Sequence, residues 1–194
     1  MREYKILFVG SMGAGKTTAI AAISEIPPAS TDVLNSDRAG FDKSHTTVAM
    51  DYGEITLEGG DKLRLYGTPG QARFDFMWTI VGAGALGVIL LIDHGRPQPV
   101  ADLKDYATRF APMIRRACGV VAVGRLPEHE AAEAVGSYQQ ALADLELEIP
   151  VFSVDVRRRA DVLLLLEALL GQIEASLLST ESAADTPPAH GSHR

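Results

Sequence analysis

Short apolar runs alternate with longer segments of helical periodicity along the chain. Strands are predicted at Tyr4 to Val9, Val48 to Leu57, Leu63 to Tyr66, Leu86 to Ile92, Val120 to Val123 and Val151 to Val154, and helices at Lys16 to Ile26, Ala101 to Arg116, Glu130 to Leu145 and Ala160 to Leu178. Alternating strands and helices are typical of βαβ units around a parallel sheet. We therefore expect an α/β fold with a six-stranded, mostly parallel sheet and helices on both faces.

Three segments need a separate interpretation. The second and third predicted strands flank Glu58-Gly59-Gly60-Asp61, a hairpin turn, so this pair should be antiparallel with one strand at the edge of the sheet. Ser30 to Ser44 is polar and aperiodic and is predicted to be a loop. The uncharged stretch Phe76 to Ile92 is interrupted by glycines, so we interpret it as a loop that leads into a buried strand rather than as a membrane span.

Length and charge narrow the class of protein. With 194 residues the chain fits one domain, predicted over residues 1–178, with a flexible tail over residues 179–194. The formal net charge of −7 argues against a nucleic-acid-binding protein. Cys118 is the single cysteine and suits a reducing compartment, and the apolar run before Gly10 is too short for a signal peptide. We expect a cytoplasmic protein without membrane insertion.

One motif carries specific chemistry. Gly10-Ser11-Met12-Gly13-Ala14-Gly15-Lys16-Thr17 matches the P-loop pattern and lies between a predicted strand and a predicted helix. In such a loop the backbone amides, here from Ser11 to Thr18, surround phosphate oxygens at a helix N-terminus. Lys16 is then placed for the β- and γ-phosphates and the Thr17 hydroxyl for Mg²⁺. The sequence therefore predicts a nucleoside-phosphate site over residues 10–18.

A second motif suggests a family. Gly67-Thr68-Pro69-Gly70-Gln71-Ala72-Arg73-Phe74 resembles switch II of the Ras-like small GTPases, in the form found in bacterial MglA-like GTPases. Thr46-Thr47-Val48-Ala49-Met50-Asp51-Tyr52 similarly resembles switch I. The resemblance covers roughly residues 4–178 and implies a P-loop NTPase fold.

The resemblance also implies roles for particular residues. Gly70 would donate its backbone N–H to the γ-phosphate, and Gln71 would orient the attacking water, with Lys16 as the second catalytic residue. Thr47 would bind Mg²⁺ together with Thr17, although Thr46 is an alternative to Thr47. The implied function is a switch that binds GTP with Mg²⁺ and hydrolyses it to GDP.

Arginines in the switch segments have two interpretations. Arg38 and Arg73 lie in the predicted switch segments. Either could stabilise the charge of the transition state in cis, but a solvated surface arginine is the favoured interpretation of both.

Two residues depart from the family pattern near the phosphates. Gly67 stands where most Ras-like proteins have an Asp that holds Mg²⁺, which should weaken metal binding or shift it to other groups. Met12 occupies a position that is often glycine, and its side chain would crowd Gln71 or an incoming arginine. We therefore expect slow intrinsic hydrolysis.

The base-recognition motif N-K-x-D is absent. After the fifth predicted strand the chain reads Val123-Gly124-Arg125-Leu126-Pro127, so Arg125 is the candidate that lies over the base. Asp155, after the last strand, is a candidate acceptor for the base or, alternatively, a helix cap. Guanine specificity is thus implied by the resemblance alone.

The family resemblance also implies partners, and two other functions stay open. A Roadblock-type activator protein and an effector in polarity, motility or signalling are implied. An ATP-using P-loop kinase or ATPase is an alternative because N-K-x-D is missing, with Arg157-Arg158-Arg159 as its phosphate-clamping lid or, more simply, a solvated turn. A nucleotide-binding module without catalysis is the other alternative, because of Gly67 and Met12.

Overall fold

The computed structural model describes residues 1–27, 29–33, 48–70 and 75–184. The strands in this part are β1 (Glu3–Gly10), β2 (Ala29–Val33), β3 (Val48–Thr56), β4 (Lys62–Gly67), β5 (Gly87–Asp93), β6 (Gly119–Gly124) and β7 (Val151–Ser153). The helices are α1 (Lys16–Ile23), α2 (Asp75–Gly82), α3 (Pro99–Arg116), α4 (Ala131–Ala143) and α5 (Arg159–Ala184).

The strands form one mixed sheet in the order β2-β3-β4-β1-β5-β6-β7. Strand β1 pairs in parallel with β4 and β5, and β5–β6 and β6–β7 are also parallel. The β3–β4 hairpin is antiparallel, as predicted. The predicted α/β P-loop fold is confirmed, and all six predicted strands are present.

Strands β1 and β5 direct apolar side chains toward both faces of the sheet, so helices pack against both faces. On one face Leu7 and Val9 lie in a buried cluster that α3 and α4 complete. On the other face Ile6 and Phe8 pack with buried side chains of α1 and α5. Because β4, β1, β5, β6 and β7 run parallel, their C-terminal ends meet at one edge of the sheet, where the connecting loops can share a site.

Strand β2 and helix α2 are not among the predicted elements. Ala29–Val33 pairs antiparallel with β3 and adds a seventh described strand outside the hairpin, so the start of the predicted loop Ser30 to Ser44 is a strand. Its polar residues gave no period-2 apolar signal, and pairing with β3 supplies the hydrogen bonds instead. Helix α2 occupies part of the stretch predicted to be a loop, and buries Trp78 against Phe110 of α3 with ring centroids 4.9 Å apart.

Helix α5 continues to Ala184, six residues past its predicted end at Leu178. The residues from Ser179 were predicted to begin the tail because they lack apolar periodicity. A helix that is already formed gains a hydrogen bond for each residue added, and no proline occurs between Leu178 and Pro187. The remainder of the predicted tail, residues 185–194, lies outside the described residues. Among the described helices, none has the length and apolar character needed to cross a membrane.

Candidate functional site

The predicted phosphate loop lies between β1 and α1, at the edge of the sheet where the parallel strands end. Gly15 immediately precedes the helix with φ 99°, a left-handed conformation that favours glycine. The N–H groups of the first turn of α1 have no partner inside the helix and face the loop. The local sequence thus builds an anion site from backbone donors and a helix N-terminus.

Lys16 is buried within this loop, with 7% of its surface exposed. Its ammonium donates to the carbonyl oxygens of Gly10 and Ser11, each at 2.8 Å. Burial lowers the pKa of Lys16 to about 8, and the negative charge of Asp51 opposes that shift. An ammonium has three protons, and the two described hydrogen bonds leave one for another acceptor.

Thr17 contacts a carboxylate that the sequence did not single out. Its hydroxyl donates to Asp51 Oδ2 at 2.6 Å, which links the first turn of α1 to strand β3. Asp51 is paired directly with Gly67 across the β3–β4 ladder. The position that lacks the expected Asp therefore has an acidic residue as its cross-strand neighbour.

Gly70 lies against the phosphate loop. A Cβ added to Gly70 would stand 2.4 Å from the backbone nitrogen of Met12, so only glycine fits there without a shift. The Tyr106 hydroxyl of α3 donates to the Gly70 carbonyl at 3.2 Å. Thr68, 2% exposed, donates its backbone N–H to Phe8 O at 2.9 Å. The segment after β4 is thus held beside the loop, while the Met12 side chain is 70% exposed.

A cavity of about 1020 Å³ opens from the phosphate loop toward the ends of β5, β6 and β7. Its lining includes Lys16 and Thr17 at one end and Arg125, Glu128 and Asp155 at the other. This volume lies at the upper end of the range for small-molecule sites. It has room for a nucleotide with its phosphates on the loop and its base near the end of β6.

Arg125 joins the two ends of this cavity. Its backbone is left-handed, with φ 58°, and its guanidinium pairs with Asp93 and donates to Gly13 O at 3.2 Å. The predicted base-contacting residue therefore lies in the cavity, anchored to the phosphate loop.

Asp155 also lines the cavity, but its carboxylate already has partners. Its two oxygens accept hydrogen bonds from the Arg157 side chain, and one also accepts the Arg157 backbone N–H. These contacts lower the pKa of Asp155 to about 2. Asp155 therefore orders the turn before α5, and the backbone N–H of Asp155 itself donates to Asp161.

Glu128 is a cavity residue that the sequence reasoning missed. It is exposed, and it is the fourth residue after Gly124, where the Asp of N-K-x-D falls when that motif is placed on Arg125 to Glu128. On this placement Arg125 takes the position of the Asn, and not that of the Lys that lies over the base. Counting from the end of the strand, rather than searching for an Asp, would have found Glu128.

Three arginines before and at the start of α5 are engaged with the protein. Arg157 contacts Asp155, Arg158 lies 3.7 Å from Asp161, and Arg159 donates to the carbonyls of Ala22 and Ile23 at the end of α1. These contacts favour the predicted solvated turn over a phosphate-clamping lid.

Several candidate residues lie outside the described residues. These are Arg38, Thr46, Thr47, Gln71 and Arg73. Their predicted roles stay predictions.

Magnesium is the metal that the phosphate loop implies, and the residues present fit it. Mg²⁺ prefers oxygen ligands and is usually held by one or two protein side chains together with substrate phosphates. The Thr17 hydroxyl and the Asp51 carboxylate, 2.6 Å apart at the loop, are such a donor set. Within the described residues no group of three or more His, Cys, Asp and Glu side chains forms a metal site of its own.

Comparison with known proteins gives distant relatives. An uncharacterized protein of Methanocaldococcus jannaschii is 30% identical over 95 residues, which cover 48% of this chain and 53% of that protein. The Ras-related protein Rab-8A of Gallus gallus is 32% identical over 106 residues, 53% of this chain and 45% of that protein. The GTP-binding protein YPTM2 of Zea mays is 23% identical over 190 residues, 96% of this chain and 87% of that protein.

No family model matches the chain. The chain spans about half the length of the first two of these relatives. The distant homology to Ras-related and GTP-binding proteins supports a Ras-like small GTPase superfamily.

Proposed function

We propose that this chain is a molecular switch that binds GTP with Mg²⁺, hydrolyses it slowly to GDP and signals through loops that respond to the nucleotide. The observation that carries the proposal is Lys16, a buried cation in a loop of backbone donors at the mouth of a cavity of about 1020 Å³. Burial makes the charge of this ammonium unfavourable, and the negative charge of Asp51 only partly opposes that effect. Nucleotide phosphates are the anion that this loop suits.

Binding would use the residues of the loop in distinct ways. The backbone amides from Ser11 to Thr18 would surround the phosphates, and the third proton of the Lys16 ammonium would bind a phosphate oxygen. Bound Mg²⁺ would neutralise charge on the β- and γ-phosphates. Thr17 and, following the family resemblance, Thr47 would hold the metal.

The switch would rely on the segment that follows β4. Gly70 lies against the backbone at Met12, so a γ-phosphate on the loop would meet this segment directly. The resemblance assigns Gly70 a hydrogen bond to that phosphate and Gln71 the positioning of water. Loss of the γ-phosphate would then free the segment.

Guanine recognition would involve the loop after β6. Arg125 ties this loop to the phosphate loop through Gly13, and we assign Glu128 as the acceptor for the guanine N–H donors. Asp155 is the predicted alternative, but its oxygens already accept from Arg157. A site built on such hydrogen bonds discriminates against adenine.

The sequence Gly67 to Gln71 supports placement in the MglA-like bacterial branch. That placement carries with it a Roadblock-type activator, an effector and a cytoplasmic location, all as part of the proposal. Nucleotide binding can be tested without any of these partners.

Calorimetry on purified, nucleotide-stripped protein tests the function. We expect GTP and GDP to bind in the presence of Mg²⁺ and excess ATP to leave bound GTP in place. Lys16→Ala should lower affinity at least about 10-fold, because charge-assisted hydrogen bonds contribute about 1.5–3 kcal/mol. Lys104→Ala is the matched control, since Lys104 is an exposed lysine of α3 that pairs with Asp144.

Two outcomes would replace this proposal. Equal displacement of GTP by ATP would favour an ATP-using P-loop enzyme. Absence of phosphate release, in wild type and Gln71→Leu alike and with candidate activators added, would favour a nucleotide-binding module without catalysis.

A further inference from the structure

The β3–β4 hairpin has an acidic residue on one strand directly opposite a glycine on the other. Asp51 and Gly67 are directly opposed in the antiparallel register. A Cβ added to Gly67 would lie 2.9 Å from Asp51 Cβ and 3.0 Å from Asp51 Oδ2. Real Cβ atoms do not approach this closely, so the Asp51 side chain fills the space that a side chain at position 67 would need. There is thus room for one carboxylate here, and it can come from position 51 or from position 67.

The carboxylate points to the phosphate loop. Asp51 Oδ2 accepts from the Thr17 hydroxyl at 2.6 Å, and the field of Asp51 acts on Lys16. Thr17 is the residue whose hydroxyl a P-loop gives to Mg²⁺. Asp51 therefore contacts the hydroxyl that a P-loop gives to the metal and acts electrostatically on the lysine that a P-loop gives to the phosphates.

The acidic groups that line the cavity are placed differently. Asp93 pairs with Arg125, Asp155 accepts from Arg157, and Asp161 accepts the backbone N–H of Asp155. Glu128 lies at the end of β6, beyond the phosphate loop. Among the acidic residues in the described part of the chain, Asp51 is the one in contact with Thr17.

We propose that Asp51 supplies the acidic oxygen that holds the Mg²⁺ of the bound nucleotide, in place of a carboxylate at Gly67. The inference rests on the proposed function, because the metal arrives with the nucleotide. The hard, anionic oxygen of Asp51 and the hydroxyl of Thr17 match the ligands that Mg²⁺ takes from proteins. The metal-binding carboxylate has moved to the neighbouring strand while the site itself stays in the same place.

The test measures how Mg²⁺ retains a fluorescently labelled GDP. The rate of nucleotide release is measured at a series of free Mg²⁺ concentrations. The half-effect concentration is the free Mg²⁺ concentration that gives half of the maximal change in this rate, relative to the rate of the same variant without metal. Asp51→Asn keeps the size of the side chain and an oxygen that can accept from Thr17, but removes the charge. We expect its half-effect Mg²⁺ concentration to rise about 10–100-fold.

A relocation variant makes the test independent of damage to the fold. The double variant Asp51→Gly/Gly67→Asp returns the carboxylate to β4 and removes the Cβ and the carboxylate that block it. We expect the double variant to recover most of the Mg²⁺ response that Asp51→Gly alone loses. Asp61→Asn, in the turn of the same hairpin, is the matched control and should respond to Mg²⁺ as wild type does.

The outcomes distinguish failure of this inference from failure of the proposed function. Wild-type protein that binds no labelled guanine nucleotide would overturn both. Wild-type binding with an unchanged half-effect concentration in Asp51→Asn and Asp51→Gly would overturn the role of Asp51 alone. A double variant no better than Asp51→Gly would also contradict it, since a carboxylate at position 67 would then not serve the metal.

Discussion

Lys16 should make the stability of the nucleotide-free protein depend on pH in an unusual direction. Its pKa is about 8 in the folded protein, lowered from 10.5 mainly by burial. Between these two values the unfolded chain binds more protons at Lys16 than the folded protein does. The free energy of unfolding therefore rises with pH across this window, and the contribution of Lys16 is least favourable below pH 8.

The size of the effect follows from the two pKa values. One pKa unit corresponds to about 1.4 kcal/mol, and integration of the linkage relation from pH 8 to pH 10 gives about 2 kcal/mol of added stability. Exposure of only 7% means that solvent screening reduces this little. The cause is the desolvated ammonium itself, so a side chain without a charge at position 16 removes the dependence.

The assay is urea unfolding of nucleotide-stripped protein in EDTA, from pH 7 to pH 10. Lys16→Met serves as the reference, because every other titrating group is common to both proteins. We expect the free energy of unfolding of wild type, minus that of Lys16→Met, to increase by about 2 kcal/mol between pH 8 and pH 10. A difference that stays flat or falls would refute the buried, desolvated cation. Nucleotide should abolish the rise, because phosphate oxygens keep the ammonium charged.

The remaining predictions concern the two ends of the cavity and the segment after β4. Met12→Gly should hydrolyse GTP faster than wild type in single-turnover assays, because it removes the side chain that the family resemblance predicts to crowd Gln71 or an incoming arginine; an equal or lower rate would remove this explanation of slow hydrolysis. Tyr106→Phe removes the hydrogen bond to Gly70 and should lower the free energy of unfolding by about 1 kcal/mol in urea titrations; no change would show that this contact does not hold the segment. Glu128→Gln should weaken GTP about 10-fold or more in competition with ATP, and an unchanged preference would leave Asp155 as the acceptor.

The central part of the fold was accessible from the sequence because its signals are local. The apolar runs of β1, β5 and β6 can be identified without reference to their neighbours in the sheet. The composition of Glu58 to Asp61 indicates the hairpin turn. The phosphate loop was predictable for the same reason, since its spacing is contained in eight consecutive residues.

Elements that depend on tertiary partners were harder to predict. Strand β2 is polar and exists through its pairing with β3. Helix α2 is eight residues long, too short to show clear periodicity, and its Trp78 is buried by contact with α3. For such segments packing decides the structure more than local propensity does.

The same distinction holds within the candidate site. Asp51 and Gly67 are 16 positions apart along the chain, and only the register of β3 on β4 shows that one fills the space of the other. The sequence indicated that a carboxylate was missing and that metal binding would weaken or shift to other groups. The ladder identifies Asp51 as the group that takes its place in our proposal.

A crystal structure with a non-hydrolysable GTP analogue and Mg²⁺ tests most directly whether the loop from Gly10 to Thr17 is a nucleotide site. The account predicts the phosphates within the loop, with Lys16 Nζ about 2.8 Å from a phosphate oxygen and still bonded to Gly10 and Ser11. A loop that stays empty at saturating analogue, or that is filled by the protein's own side chains, would contradict it.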